Sequence, residues 1–212
     1  QPAPPRLPTA LQDLIAPWEE FRRVIPLVSL DSLLHERCPS LPKVAVLNRK
    51  VKKVVIMSAN ALDHIYDRIL LARQQALNNQ MSYEEAQQVV DSLLKVQKAI
   101  YQSPADTKQT FWGDPFNKWY SYSKETPLEN MLKLNIPILL IAGGRDVEGS
   151  YIANTDYAAL EFIRKGKQNL TYKVYPNYDH IYNETMRKYG EEVGLGFKAN
   201  TVVDDIFKWL GE

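Results

Sequence analysis

The chain has one cysteine, Cys38, three histidines and nine glycines in 212 residues. A lone cysteine excludes an internal disulfide and any cysteine metal cluster, and it fits a reducing compartment. Neither sign of charge is in excess. Lys+Arg is 26 against Asp+Glu 25, a formal net charge of +1, so the electrostatic footprint of a nucleic-acid-binding domain is missing. Long apolar runs are missing too. The longest, 136–142, has seven residues, against the roughly 20 that a membrane span needs. Glycine is absent from the whole stretch 24–48. What is present is an ordinary globular balance, 45% hydrophobic and 24% charged, which excludes disorder as the main state and a collagen-like or disulfide-rich class. The length corresponds to one domain or at most two, enough to bury a core without staples.

Four of the thirteen prolines fall in the first eight residues. Proline fixes φ and donates no backbone N–H, so 1–8 reads as an extended arm, without the apolar segment of a signal peptide. Residues 9–23 carry Leu11, Leu14, Ile15, Trp18 and Phe21 at helical spacing, with Pro17 expected to kink the helix. A short strand is expected at 24–30, weakened by Pro26, and a helical turn at 43–48. The segment 51–58, VKKVVIMS, is β-branched and polar-bounded, a strand. Two long helices follow. The first presents Leu62, Ile65, Tyr66, Ile69, Leu70 and Leu77; the second presents Ala86, Val89, Val90, Leu93, Leu94 and Ile100 and opens on a Ser82/Glu85 capping box. Residues 103–123 read as a loop rich in Trp, Tyr, Asp and Pro. Thr126, Pro127 and Glu129 then form a helix start. A nearly all-apolar strand at 136–143 is expected to be covered on both faces. A helix at 154–164, a strand at 170–174 and a final helix at 200–210, burying Val202, Val203, Ile206, Phe207 and Leu210, complete the reading. Strands alternating with helices predict an α/β layer on a mostly parallel sheet.

The chemistry concentrates in the last third. Strand 136–143 runs into Gly144-Arg145-Asp146, and strand 170–174 runs into Pro176-Asn177-Tyr178-Asp179-His180. Functional groups of open parallel sheets gather beyond the carboxyl ends of strands. Asp146 and His180 each follow a strand, about one βαβ unit apart. A carboxylate beside an imidazole fixes its tautomer and stabilises the imidazolium, which suits a general base acting on a hydroxyl nucleophile. Other roles stand beside these: Asp146 as a helix cap or turn residue with Glu148 as the alternative acid, and His180 as a surface or capping histidine. Gly143-Gly144 lacks the phosphate-binding fingerprints. His64 follows Asp63 as His180 follows Asp179, but two histidines without ligand spacing do not make a metal site. His64 reads as a polar helix position or a residue facing a pocket. Trp112 and Trp119, with Tyr120 and Tyr122, either line an aromatic substrate pocket or pack the helical segment onto the sheet. Lys52-Lys53 and the 164–167 cluster read as solvated element ends, and Cys38, beside Arg37, as an inert thiol.

From residue 43 to 212 the chain resembles the α/β-hydrolase family. The segment 135–146, NIPILLIAGGRD, resembles the family's penultimate strand with its acid turn, and 175–180, YPNYDH, resembles the loop of its catalytic histidine. The strand at 51–58 is similar to the one after the nucleophile helix, and the two long helices with the aromatic loop are similar to an inserted cap. The resemblance implies a core of 9–61 and 124–212 interrupted by a helical cap at 62–123. In family order the acid would be Asp146 and the base His180. The nucleophile would be a serine in the glycine-free stretch, where Ser29, Ser32 and Ser40 stand and Ser32 is the assignment, with no G-x-S-x-G elbow around it. The second oxyanion donor comes from an earlier strand in the family, for which this chain has no room. Eight strands at about 30 residues per βα unit need about 240 residues before any cap, so the sheet is expected to be partial and the proline-rich start to be a junction.

The function expected from this resemblance is a serine hydrolase cleaving a small ester, thioester or amide through an acyl-enzyme. It would need no cofactor or metal, with Trp112 and Trp119 at the substrate. The alternative is a truncated or degenerate fold without catalysis, a binding module or fragment. The unpaired edge of a partial sheet also invites a homo-oligomer.

Overall fold

The computed structural model describes residues 41–146, 152–188, 191–197 and 199–211. The expected arm, kinked helix and strand at 24–30, with Ser29, Ser32, Cys38, Ser40 and Glu148, lie outside them. Three parallel strands make the central sheet: β1 (Val54–Met57), β4 (Ile138–Gly143) and β5 (Leu170–Tyr175), in the order β1-β4-β5. Register runs Val54 to Ile138 on one side of β4 and Ile138 to Leu170 on the other, so all three carboxyl ends share one edge.

All six residues of β4 are buried, as a central strand covered on both faces requires. Its alternation sorts the core into two layers. Val54, Ile56, Ile138 and Leu140 face the helices α1 (Leu41–Leu47), α5 (Pro127–Lys133) and α6 (Ile152–Arg164), meeting Ala45, Met131 and Phe162. Val55, Met57, Leu139 and Ile141 face α7 (Ala199–Gly211), meeting Val202, Val203 and Ile206. Phe207, expected inside, is exposed and Leu210 is half-buried; the apolar stripe of α7 is wider than the strip of sheet it covers.

Between β1 and β4 the chain inserts α2 (His64–Leu77), α3 (Tyr83–Gln102), a short hairpin of β2 (Thr110–Phe111) and β3 (Asp114–Pro115), and α4 (Phe116–Ser123). This is the cap-like helical insertion, and it corrects the reading of 103–123 as loop throughout. Trp112 turns the hairpin with φ +48 beside Gly113 at +83. The two long helices meet through small residues, Ala72, Ala76, Ala86 and Val90. Small side chains let the backbones approach, which pushes Tyr66, Leu77, Val89 and Leu94 out to solvent, contrary to their expected burial. The capping boxes at Ser82/Glu85 and Thr126/Glu129 both form. An antiparallel hairpin of β6 (Asn183–Lys188) and β7 (Glu191–Phe197) follows β5 and was not expected, because its strands lack a clean apolar alternation.

Two lysines expected to be solvated have partners. Lys53 Nζ donates to the Trp209 and Leu210 carbonyls at 3.1 Å each, and Lys167 Nζ donates to the Leu132 and Leu134 carbonyls at 2.7 and 2.6 Å. Each cation sits at the end of a helix, where unsatisfied carbonyls and the helix dipole favour it. No helix among the described residues is long and apolar enough to cross a membrane.

Candidate functional site

The site is built where β4 and β5 end. Gly143 and Gly144 carry the chain out of β4 directly under the loop that follows β5. A Cβ at Gly143 would lie 2.4 Å from the Asp179 carbonyl oxygen, and one at Gly144 would lie 2.6 Å from that of Pro176. The glycine pair thus permits a backbone-to-backbone approach that any side chain would block. The approach is locked by Gly144 N–H to the Tyr175 carbonyl and Arg145 N–H to the Tyr178 carbonyl, both 2.9 Å. Asp179 organises the loop itself, accepting from the N–H groups of Ile181 and Asn183 at 3.0 and 2.8 Å, a local turn that suits its short side chain.

This scaffold brings Asp146 and His180 together. Asp146 Oδ2 lies 2.8 Å from His180 Nδ1, and both side chains are buried. A carboxylate can only accept, so Nδ1 carries a proton, and in the neutral imidazole the lone pair is then on Nε2. A third residue holds the histidine from behind. Ser58, at the carboxyl end of β1 with φ +43, donates its hydroxyl to the His180 carbonyl at 2.7 Å and lies 2.9 Å from the Tyr182 hydroxyl. In the sequence Ser58 is only a strand end; nothing local reveals that it fixes a main chain 122 residues away.

A second polar cluster lies where β1 gives way to the insertion. Asn154, fully buried on α6, accepts through Oδ1 from Ala61 N–H at 3.1 Å and Leu62 N–H at 2.9 Å, and donates through Nδ2 to Asp67 Oδ1. Asp67 is 3% exposed, and burial pushes its carboxyl up to about 8. Beside it, His64 Nδ1 pairs with Asn60 Nδ2 at 2.9 Å. The His64 ring meets Trp119 edge-on at 6.2 Å in a shallow cleft shared with Leu62, Ile65, Tyr122 and Pro127. No signal in the sequence separates Asp67 from a surface helix carboxylate.

Trp119 donates its indole N–H to the Phe111 carbonyl at 2.7 Å and lies 5.6 Å from the Trp112 ring. Trp112 stacks on Phe111 at 4.2 Å and walls an open groove of about 640 Å³ against Met81, Val89, Leu93 and Val96. The two tryptophans thus belong to one aromatic cluster that opens on two different hollows. Among the described residues no group of His, Cys, Asp and Glu has the arrangement of a metal site.

Fold and site together define an α/β protein with a parallel sheet, flanking helices, a cap-like helical insertion and a buried Asp–His pair at the carboxyl edge. No protein-family model matches the chain, and no curated protein matches it in sequence.

Proposed function

We propose that the chain is an α/β-hydrolase of the serine type, cleaving an ester, thioester or amide through an acyl-enzyme. The observation that carries this reading is the 2.8 Å bond between Asp146 Oδ2 and His180 Nδ1 beyond adjacent parallel strands. In that reading Nε2 of His180 takes the proton of a serine hydroxyl as the oxygen attacks the substrate carbonyl. Asp146 stabilises the imidazolium, and His180 returns the proton to the leaving group as the carbon–heteroatom bond breaks. Water then repeats the sequence on the acyl-serine and regenerates the hydroxyl. Ser32 remains the serine assigned to this role, and Trp119 and Trp112 the aromatic side chains toward the acyl group.

The test is labelling of the folded chain with a fluorophosphonate probe, mapped by mass spectrometry. The reading expects one labelled serine, Ser32, with the label lost in His180→Ala. Absence of any label and of ester turnover, or a label indifferent to His180→Ala, overturns it.

A second reading rests on a different observation. The stretch 24–48 has no glycine, whereas a nucleophile elbow is a strained turn with small neighbours. In that reading the chain is a non-catalytic module of the same fold, and a sheet edge serves for association with a second copy. The same labelling experiment separates the two.

A further inference from the structure

Asp67 is a buried carboxyl for which the proposed chemistry has no use. Its Oδ1 takes the hydrogen bond from Asn154; its Oδ2 is equally buried and has no hydrogen-bond partner among the described residues. A charge placed there would lose its water and gain no donor at one oxygen, a costly arrangement. Among the described residues the charged groups acting on Asp67 are Asp63, which caps its helix, Arg68 on that helix and Asp146 beyond the end of β4. Two of these three repel a carboxylate. His64 lies one turn earlier on α2, turned to Asn60, and His180 lies on Oδ2 of Asp146.

Asn154 approaches from a neighbouring helix, whose Ala158 and Phe162 share a core cluster with Ala61 and Leu62. It belongs to α6, which packs on the sheet, and its side chain grips the entry to the insertion at three points: two backbone N–H groups at Ala61 and Leu62, and the Asp67 carboxyl. It therefore ties the first turns of the insertion to the body of the α/β layer.

We propose that Asp67 and Asn154 form a proton-dependent clamp, which holds the helical insertion to the sheet while Asp67 is a neutral acid and loosens as Asp67 ionises. The Asn154 donor by itself favours the ionised form, but burial outweighs it, and the neutral acid still accepts from Asn154 while leaving no charge to be solvated. When the insertion swings away, water reaches the carboxyl and it ionises in its ordinary range. The closed form therefore holds one more proton than the open form, so acid closes the clamp and base opens it. The ordinary value is 3.8 and burial raises the closed form to about 8, which sets the window between them. The clamp does not depend on the hydrolase reading.

Hydrogen exchange of the full chain tests it, following the amides of 61–72 from about pH 5 to about pH 9 with the intrinsic base-catalysed rate removed. The opening equilibrium of these amides is expected to rise about tenfold per pH unit and to level off above about pH 8, while β4 serves as the internal reference. Asp67→Asn keeps the shape and carries no charge at any pH. It leaves Asp63, Arg68, Asp146, His64 and His180 in place, and its profile is expected to be flat. A flat profile in the unmodified chain, or an unchanged slope in Asp67→Asn, overturns the clamp. The carboxyl carbon of Asp67, assigned through bonds in the unmodified chain, gives a reading that needs no variant. A midpoint matching the levelling of the exchange profile supports the clamp, and a midpoint in the ordinary aspartate range overturns it.

Discussion

Gly143 lies against the main chain of Asp179 so closely that a Cβ added to it would stand 2.4 Å from the Asp179 carbonyl oxygen. That contact sets how near the carboxyl end of β4 comes to the histidine loop, and it is made by backbone, which cannot rotate out of the way.

Gly143→Ala should therefore force the loop off β4 rather than merely fill space. The expected cost is at least about 2 kcal/mol, in the upper part of the range for single substitutions. Urea unfolding measures it. The nitrogen-15 shifts of the His180 ring should change in the same variant while the insertion is undisturbed.

Asp146→Asn retains the shape of the pair but lets the amide donate to His180, which selects the wrong tautomer. If the hydrolase reading holds, probe labelling and ester turnover should fall by roughly 10³–10⁴-fold. Circular dichroism should show an unchanged fold.

Asp67 dictates a pH dependence of global stability whose sign follows from its raised value. The native state retains a proton that the unfolded chain has released, so the contribution of Asp67 is whole below the ordinary value of 3.8 and is lost as pH climbs to about 8. Within that window the slope approaches about 1.4 kcal/mol per pH unit, destabilising upward. Glu85, Asp106, Glu125 and Asp205 are held below their ordinary values by hydrogen bonds and cations. Their contributions have the opposite sign and are lost as pH falls through that acid range. The stability of Asp67→Asn minus that of the unmodified chain isolates the Asp67 part and should grow from about pH 5 to about pH 8.

Asn154→Ala should cost about 2–4 kcal/mol, because it strands the N–H groups of Ala61 and Leu62 and takes the donor from Asp67 in a buried setting. Thermal unfolding measures the loss. A substitution at Asn169, which donates to the Leu134 and Ile136 carbonyls at 3.1 and 2.7 Å nearer the other edge of the sheet, should leave exchange in 61–72 unchanged.

The parts of this fold that were legible in sequence are those written in local chemistry. The six-residue β4 announces itself by an unbroken apolar run, and the starts of α3 and α5 by Ser82/Glu85 and Thr126-Pro127-Glu129. Asp146 and His180 were readable because strand ends, unlike helix faces, put known residues at a known edge. The hairpin β2–β3 was hidden among aromatic residues that suit loops and strands alike, and β6–β7 by glycines and charges that blur its alternation. The burial of α2 departs from its apolar spacing because close helix packing selects Ala72 and Ala76 over the larger Tyr66 and Leu77. Asp67, Asn154 and Ser58 were invisible for a different reason. Each acquires its role from a partner 87 to 122 residues away, and a polar side chain does not reveal at short range whether its partner will be water or protein.

The hydrogen bond from Ser58 to the main chain of His180 closes a stretch of chain that contains the whole insertion and the other two strands of the sheet. The loop it closes is long, and although closure entropy grows only slowly with length, such distant contacts are slow to form. The pairing of Asp146 with His180 joins the segments after β4 and β5, whereas the Ser58 bond to the histidine backbone brings in the end of β1. The 34-residue closure between Asp146 and His180 is expected to precede the 122-residue closure between Ser58 and His180. A time-resolved signal from the His180 ring would register the first event, and its final sharpening would mark the arrival of β1.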